Sequence, residues 1–248
     1  MTKAASVDLN AITCLDGVVM RLVEQQGSQA TRRITESLDE QAYLEAFLET
    51  SKPALPDAEE CPVRHQLLLT PFRYRKSFGS RFSMRWERGL FYGSRSRLGC
   101  LLEGAYYELV FQSGPEKAFP HAVAMRKTLF HVEVNTLRGM QLQGQGAKAM
   151  QRRLRDPCNV SFTQATGQRM REAGIEAFEY QSARSDEAVV QFGAISCCVF
   201  KSNPFDQVDI QVEANAEEIV FRCLDDNSVR SFKREQFEVD GVLPQPSR

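Results

Sequence analysis

The chain lacks any apolar run approaching the roughly 20 residues that cross a bilayer. Its runs are short, as at residues 195–200, which contain Ser196, Cys197 and Cys198. Residues 1–8 hold no apolar core of the signal-peptide type, so a cytoplasmic protein without a membrane partner is expected. No Cys-x-x-Cys occurs among the seven cysteines, and His65, His121 and His131 are widely separated with no His-x-x-x-His spacing. Zinc-ribbon and thioredoxin-like chemistry therefore have no framework, and no metal is expected. An odd number of dispersed cysteines reads as reduced, partly buried thiols. An excess of charge is missing too: 31 basic residues face 32 acidic ones. No global field draws such a chain to nucleic acid, and none of the familiar nucleic-acid-binding motifs is present. Internal repeats and low-complexity segments are also absent.

What is present has globular proportions, with 42% hydrophobic and 25% charged residues among 248. A chain of this length buries about 70–75% of its unfolded surface and needs neither disulfide nor metal to fold. Leu15, Val18, Val19, Leu22 and Val23 recur at helical spacing, which predicts helix across residues 12–48. Within that stretch Ser37-Leu38-Asp39-Glu40 is a capping-box start. Leu38, Ala42, Phe47 and Leu48 form an apolar side, and Ser51-Lys52-Pro53 stops the helix. Prolines 53, 56 and 62 mark a linker. The expected division is a helical N-terminal extension over 1–56 and a body over 57–248, packed as one unit. In the body the patterns predict strands at 65–69, 90–92, 130–134, within 189–200 and at 218–223, and helices at 98–111 and 159–173, the latter closed by Gly174. The fold class is α/β (α+β) on a mixed sheet.

Three segments carry chemical interest. Residues 71–82 place Arg73, Arg75, Lys76 and Arg81 among Phe72, Tyr74, Phe78 and Phe82, with a Gly79-Ser80 turn. Guanidinium forks suit phosphate oxygens and aromatic rings suit a planar base. On composition alone, the same segment also reads as a solvated basic loop whose rings join the core. Glu103 lies on an otherwise apolar helix face near Leu102, Tyr106 and Tyr107. An acid there needs a cation or a hydrogen-bond partner, and a structural salt bridge is one account of it. Ser182 follows Phe178-Glu179-Tyr180-Gln181 without the Gly-x-Ser-x-Gly setting of a nucleophile, which favours a hydrogen-bonding role. Gly144-Gln145-Gly146 lacks a third glycine and reads as a loop.

In this order, TPFRY with GSRF, GLFYGS with LLEGAYY, and AGIEAFEYQSAR resemble the RES family, NAD-consuming toxins of bacterial toxin–antitoxin pairs. The stretch EQQGSQATRRITESLDEQAYLEAFLETSKPALP resembles the helical extension of longer members, and FEVDGVLPQP resembles their ending. Arg75-Lys76 stands where longer members tend to a proline pair, and Gln181 where many have proline. The resemblance implies a fold akin to ADP-ribosyltransferases, with NAD as substrate in a cleft. It assigns Glu103, Arg73 and Ser182 to catalysis. Arg73, Tyr74, Arg81, Tyr92 and Ser182 would bind NAD: the arginines on pyrophosphate, the tyrosines on nicotinamide or ribose, and the serine on ribose or amide. Cleavage of the nicotinamide–ribose bond, with water or phosphate as acceptor, would make the chain an NAD glycohydrolase or phosphorylase. A protein acceptor would make it an ADP-ribosyltransferase, and loss of activity an interaction protein on the same fold. An Xre-type helix-turn-helix antitoxin is the implied partner, with a homo-oligomer also open.

Overall fold

The computed structural model describes residues 6–25, 31, 34–75, 78–115, 121–185 and 187–246. Its spine is β3 (Val123–Gln141), long enough to have different neighbours at its two ends. Along one edge it pairs antiparallel with β1 (Ile12–Glu24), from Ile12↔Met140 to Glu24↔Lys127. On the other edge, its first half pairs antiparallel with β6 (Phe205–Ala214) and its end pairs parallel with β4 (Ala177–Gln181). β2 (Phe91–Ser94) and β5 (Val190–Ala194) continue beyond β4; β7 (Glu218–Cys223) and β8 (Val229–Lys233) continue beyond β6. Met20↔Ser94 joins β1 to β2, so β1, β2, β5, β4 and β3 close into a ring. The mixed sheet with helices is the α/β architecture expected. No helix among the described residues is long and apolar enough to cross a membrane.

The segment expected as the first helix is strand β1, a correction that changes the role of the N-terminus. Leu15 and Val19 enter the cluster of Phe91, Phe130 and Val132, whereas Met20 and Leu22 pack toward the opposite cluster. Over Val19–Val23 both faces of the strand meet a core cluster, and a consecutive apolar run of that kind matches a helical template by accident. Its β-branched residues suit an extended strand, and the pairing with β3 runs on through Gly17, at φ +98°, which no helix would hold. The N-terminal stretch is therefore part of the sheet and not a helical extension laid upon it.

Helix α1 (Leu38–Thr50) begins where the capping box placed it. Ser37 Oγ accepts from Glu40 N at 3.1 Å, and Glu40 Oε2 accepts from Glu36 N at 2.7 Å. Its apolar side chains Leu38, Tyr43 and Phe47 are exposed. The expected strand at 65–69 is helix α2 (Gln66–Arg73): His65 Nδ1 caps Leu67 N at 3.3 Å, and Leu68, Leu69 and Phe72 share one buried face. Helix α3 (Arg97–Gln112) is capped by Ser96 and buries Leu101, Leu102, Ala105, Tyr106 and Leu109, as its spacing predicts. Helix α4 (Lys148–Leu154) has no counterpart among the expectations. Helix α5 (Ser161–Glu172) ends at Gly174, φ +67°, where Ile175 N reaches Met170 O (2.9 Å) and Gly174 N reaches Arg171 O (3.0 Å).

The all-thiol expectation is corrected as well. Cys61 and Cys197 form a disulfide across 136 residues, with Cα atoms 5.1 Å apart. A pairing at that separation leaves no spacing signature. Cys14, Cys100, Cys158, Cys198 and Cys223 are free.

Candidate active site

A cleft of about 310 Å³ lies where β1, β2, α3 and the Gly79–Arg81 turn converge, within the size range of small-molecule sites. Glu103 projects into it from α3 and Tyr180 from β4, and Tyr92, Arg81 and Arg21 complete the nearest walls. Close packing makes this convergence possible. A Cβ on Gly93 would stand 2.6 Å from Val19 Cγ1 and 2.7 Å from Met20 O, so only glycine lets β2 approach β1 here.

Ser182 is fully buried just beyond β4 and donates from Oγ to Glu103 Oε1 at 3.2 Å. The same Oγ accepts from Arg184 N at 3.1 Å. Ser182 does not itself line the cleft, and its hydroxyl is engaged by Glu103. The hydrogen-bond partner of the acid on the apolar helix face is thus a hydroxyl.

Arg81 borders the cleft while Nη1 and Nη2 donate to Leu154 O (3.1 Å) and Asp156 O (2.9 Å). Tyr92 OH meets Ser80 Oγ at 2.8 Å and accepts from Phe82 N at 3.1 Å, pinning the Gly-Ser turn to β2. Burial pushes the Tyr92 phenol above the usual tyrosine value, so it stays protonated at neutral pH. Tyr180 is raised well above its usual value, first by burial and then by the charge of Glu103.

Arg73 and Tyr74 are absent from this cleft. Arg73 Nη1 binds Glu49 of α1 at 2.6 Å and its Nε donates to Pro53 O, with the guanidinium 5.9 Å from the Tyr74 ring centroid. Arg73 fastens α2 to α1 and the proline linker, with Tyr74 beside it.

Arg21 is the cation that sequence reading passed over. It sits on β1 with its guanidinium over the Phe91 ring, 4.6 Å from the centroid, and its Nη1 is buried without a hydrogen-bond partner. Burial pulls its pKa below the usual arginine value, to about 10. Its side chain lines the cleft with no carboxylate partner among the described residues, so it brings positive charge to that wall. The available signal was an arginine inside Val18-Val19-Met20-Arg21-Leu22-Val23. Lys127 was missed for the same reason. It is buried on β3, 2.5 Å from both Glu108 of α3 and Glu24 of β1. Burial pulls its ammonium down, but the two carboxylates outweigh this and raise its pKa.

Among the described residues one group has metal-ligand proximity, Cys223 with Asp225 and Asp226. Arg97 binds both carboxylates, at 2.5 and 3.0 Å.

The sheet with its helices is a mixed α/β fold. The RES domain model matches residues 58–220, more than half the chain, and the chain belongs to the RES family, which has the ADP-ribosyltransferase-like fold. Membership brings a coarse function, NAD-related and of the toxin–antitoxin type. No curated protein matches the chain. The matched span begins after β1, so Arg21 lies outside it.

Proposed function

We propose that the chain degrades NAD⁺ by breaking the bond between nicotinamide and ribose, as the toxin half of a pair completed by an Xre-type helix-turn-helix antitoxin. The observation that carries this reading is the Glu103–Ser182 pair, 3.2 Å apart, beside a cleft that Glu103, Arg21 and Arg81 line.

When the bond breaks, its electron pair goes to the pyridinium nitrogen and nicotinamide leaves neutral. No general acid is needed, so the demand falls on a carboxylate beside the ribose carbon, which becomes oxocarbenium-like. Glu103 meets it with an orientation fixed in advance by Ser182, which avoids reorganisation as charge develops. Water or inorganic phosphate then adds to the ribose carbon, and the acceptor's proton passes to Glu103 or solvent. The products are nicotinamide with ADP-ribose, or with its phosphate ester. Arg21 replaces Arg73 as the cation for the pyrophosphate, joined by the charge of Arg81, while Tyr92 shapes the pocket.

The test is incubation of purified protein with NAD⁺, with and without phosphate, followed by product identification. Release of nicotinamide together with free ADP-ribose or its phosphate ester supports the reading, and transfer of ADP-ribose onto protein without either free product would replace it with the transferase.

A further inference from the structure

A second cavity, of about 760 Å³, lies behind the first and shares Pro157 and Arg184 with it. Lys148, Arg152, Arg155 and Arg184 line it, against Asp156 and Glu238. Both acids are engaged. Asp156 Oδ1 accepts from the amides of Cys158 (2.9 Å) and Asn159 (2.8 Å), and Glu238 binds Arg234 at 2.7 Å. The four cations have no carboxylate partner among the described residues.

Two of these cations are fixed in place without being neutralised. Arg155 donates to the carbonyls of Ser182 (3.3 Å) and Ser185 (2.7 Å). Arg184 lies over the Tyr106 ring at 3.5 Å and donates to Pro157 O at 3.3 Å. Carbonyl contacts orient a guanidinium and leave its charge intact, which suits an anion offering several oxygens. Arg155 also grips the backbone of the residue whose hydroxyl holds Glu103.

We propose that this second cavity binds a phosphate-bearing small molecule, separately from the cleft at Glu103. The inference does not depend on the reaction assigned to the first cleft. Bare phosphate and the phosphates of a nucleotide share the required chemistry.

The exposed thiol of Cys158 lines this cavity, and the exposed thiol of Cys14 on β1 supplies an internal reference. Alkylation of both by iodoacetamide, followed by mass spectrometry on the full chain, reads occupancy without turnover. Inorganic phosphate, pyrophosphate and ADP are the probes. The expected result is labelling of Cys158 slowed at least tenfold by one or more probes while Cys14 is unaffected. Protection should disappear in the doubly reversed Lys148→Glu/Arg152→Glu chain, fall in the milder Arg152→Ala, and persist in Glu103→Gln. Stronger protection by ADP than by pyrophosphate identifies a nucleotide, and equal protection identifies the bare phosphates. Absence of protection, its survival in both basic-residue variants, or its loss in Glu103→Gln overturns the proposal.

Discussion

Ser182 donates its hydroxyl proton to Glu103 Oε1 across 3.2 Å, tying the end of β4 to the middle of α3 over 79 residues of sequence. Arg184 N donates to the same hydroxyl oxygen. We infer that the serine acts through the glutamate, as a positioning residue.

Ser182→Ala should remove that constraint with little effect on substrate affinity. A hydrogen bond to a charged group contributes about 1.5–3 kcal/mol. If it is fully used in the transition state, kcat should fall roughly ten- to a hundredfold. Steady-state kinetics on NAD⁺ checks this, and a large rise in KM at constant kcat would instead place Ser182 on the substrate.

Arg21→Met separates binding from stability. The substitution removes a buried charge that has an unpaired donor and fills similar volume, so the melting temperature should hold or rise. NAD⁺ binding measured by calorimetry should weaken at least tenfold. Unchanged affinity would show that the pyrophosphate lies elsewhere.

Arg73→Ala should do the reverse. It releases α2 from Glu49 and Pro53 and lowers the melting temperature, while NAD⁺ affinity stays within twofold of the parent. A tenfold loss of affinity in folded protein would bring Arg73 back to the substrate.

These contrasts show which features a sequence makes visible. Glu103 stood out because α3 is amphipathic, and a carboxylate on its apolar face conflicts with its neighbours. The α1 start was legible from a local capping pattern, as was the α5 end from one glycine. Arg21 was hidden because β1 meets a core cluster on both faces over Val19–Val23 and imitates helical spacing, so the arginine looked like a gap between turns. The contacts of Arg73 were not legible, because density of arginines and rings is a property of composition, whereas its partners Glu49 and Pro53 lie on α1 and the linker. The Cys61–Cys197 pair and the Lys127–Glu24–Glu108 group are long-range products of sheet register, which periodicity does not encode.

That last group gives a pH signature. Its folded lysine pKa lies above the ordinary 10.5, so its contribution is fully present below about pH 10.5 and is lost as pH rises through the folded value. The stability difference between the parent and Lys127→Met, from urea unfolding at successive pH values, should be flat to that point and shrink beyond it. A difference that shrinks well below pH 10 would mean that the carboxylates do not hold the ammonium.

The most direct measurement is mass-spectrometric product analysis of NAD⁺ incubated with the parent chain and with Glu103→Gln, each shown folded by circular dichroism. The account predicts nicotinamide together with ADP-ribose or its phosphate ester from the parent, and at least a hundredfold less from Glu103→Gln. Intact NAD⁺ with the parent, or equal turnover by the variant, would contradict it.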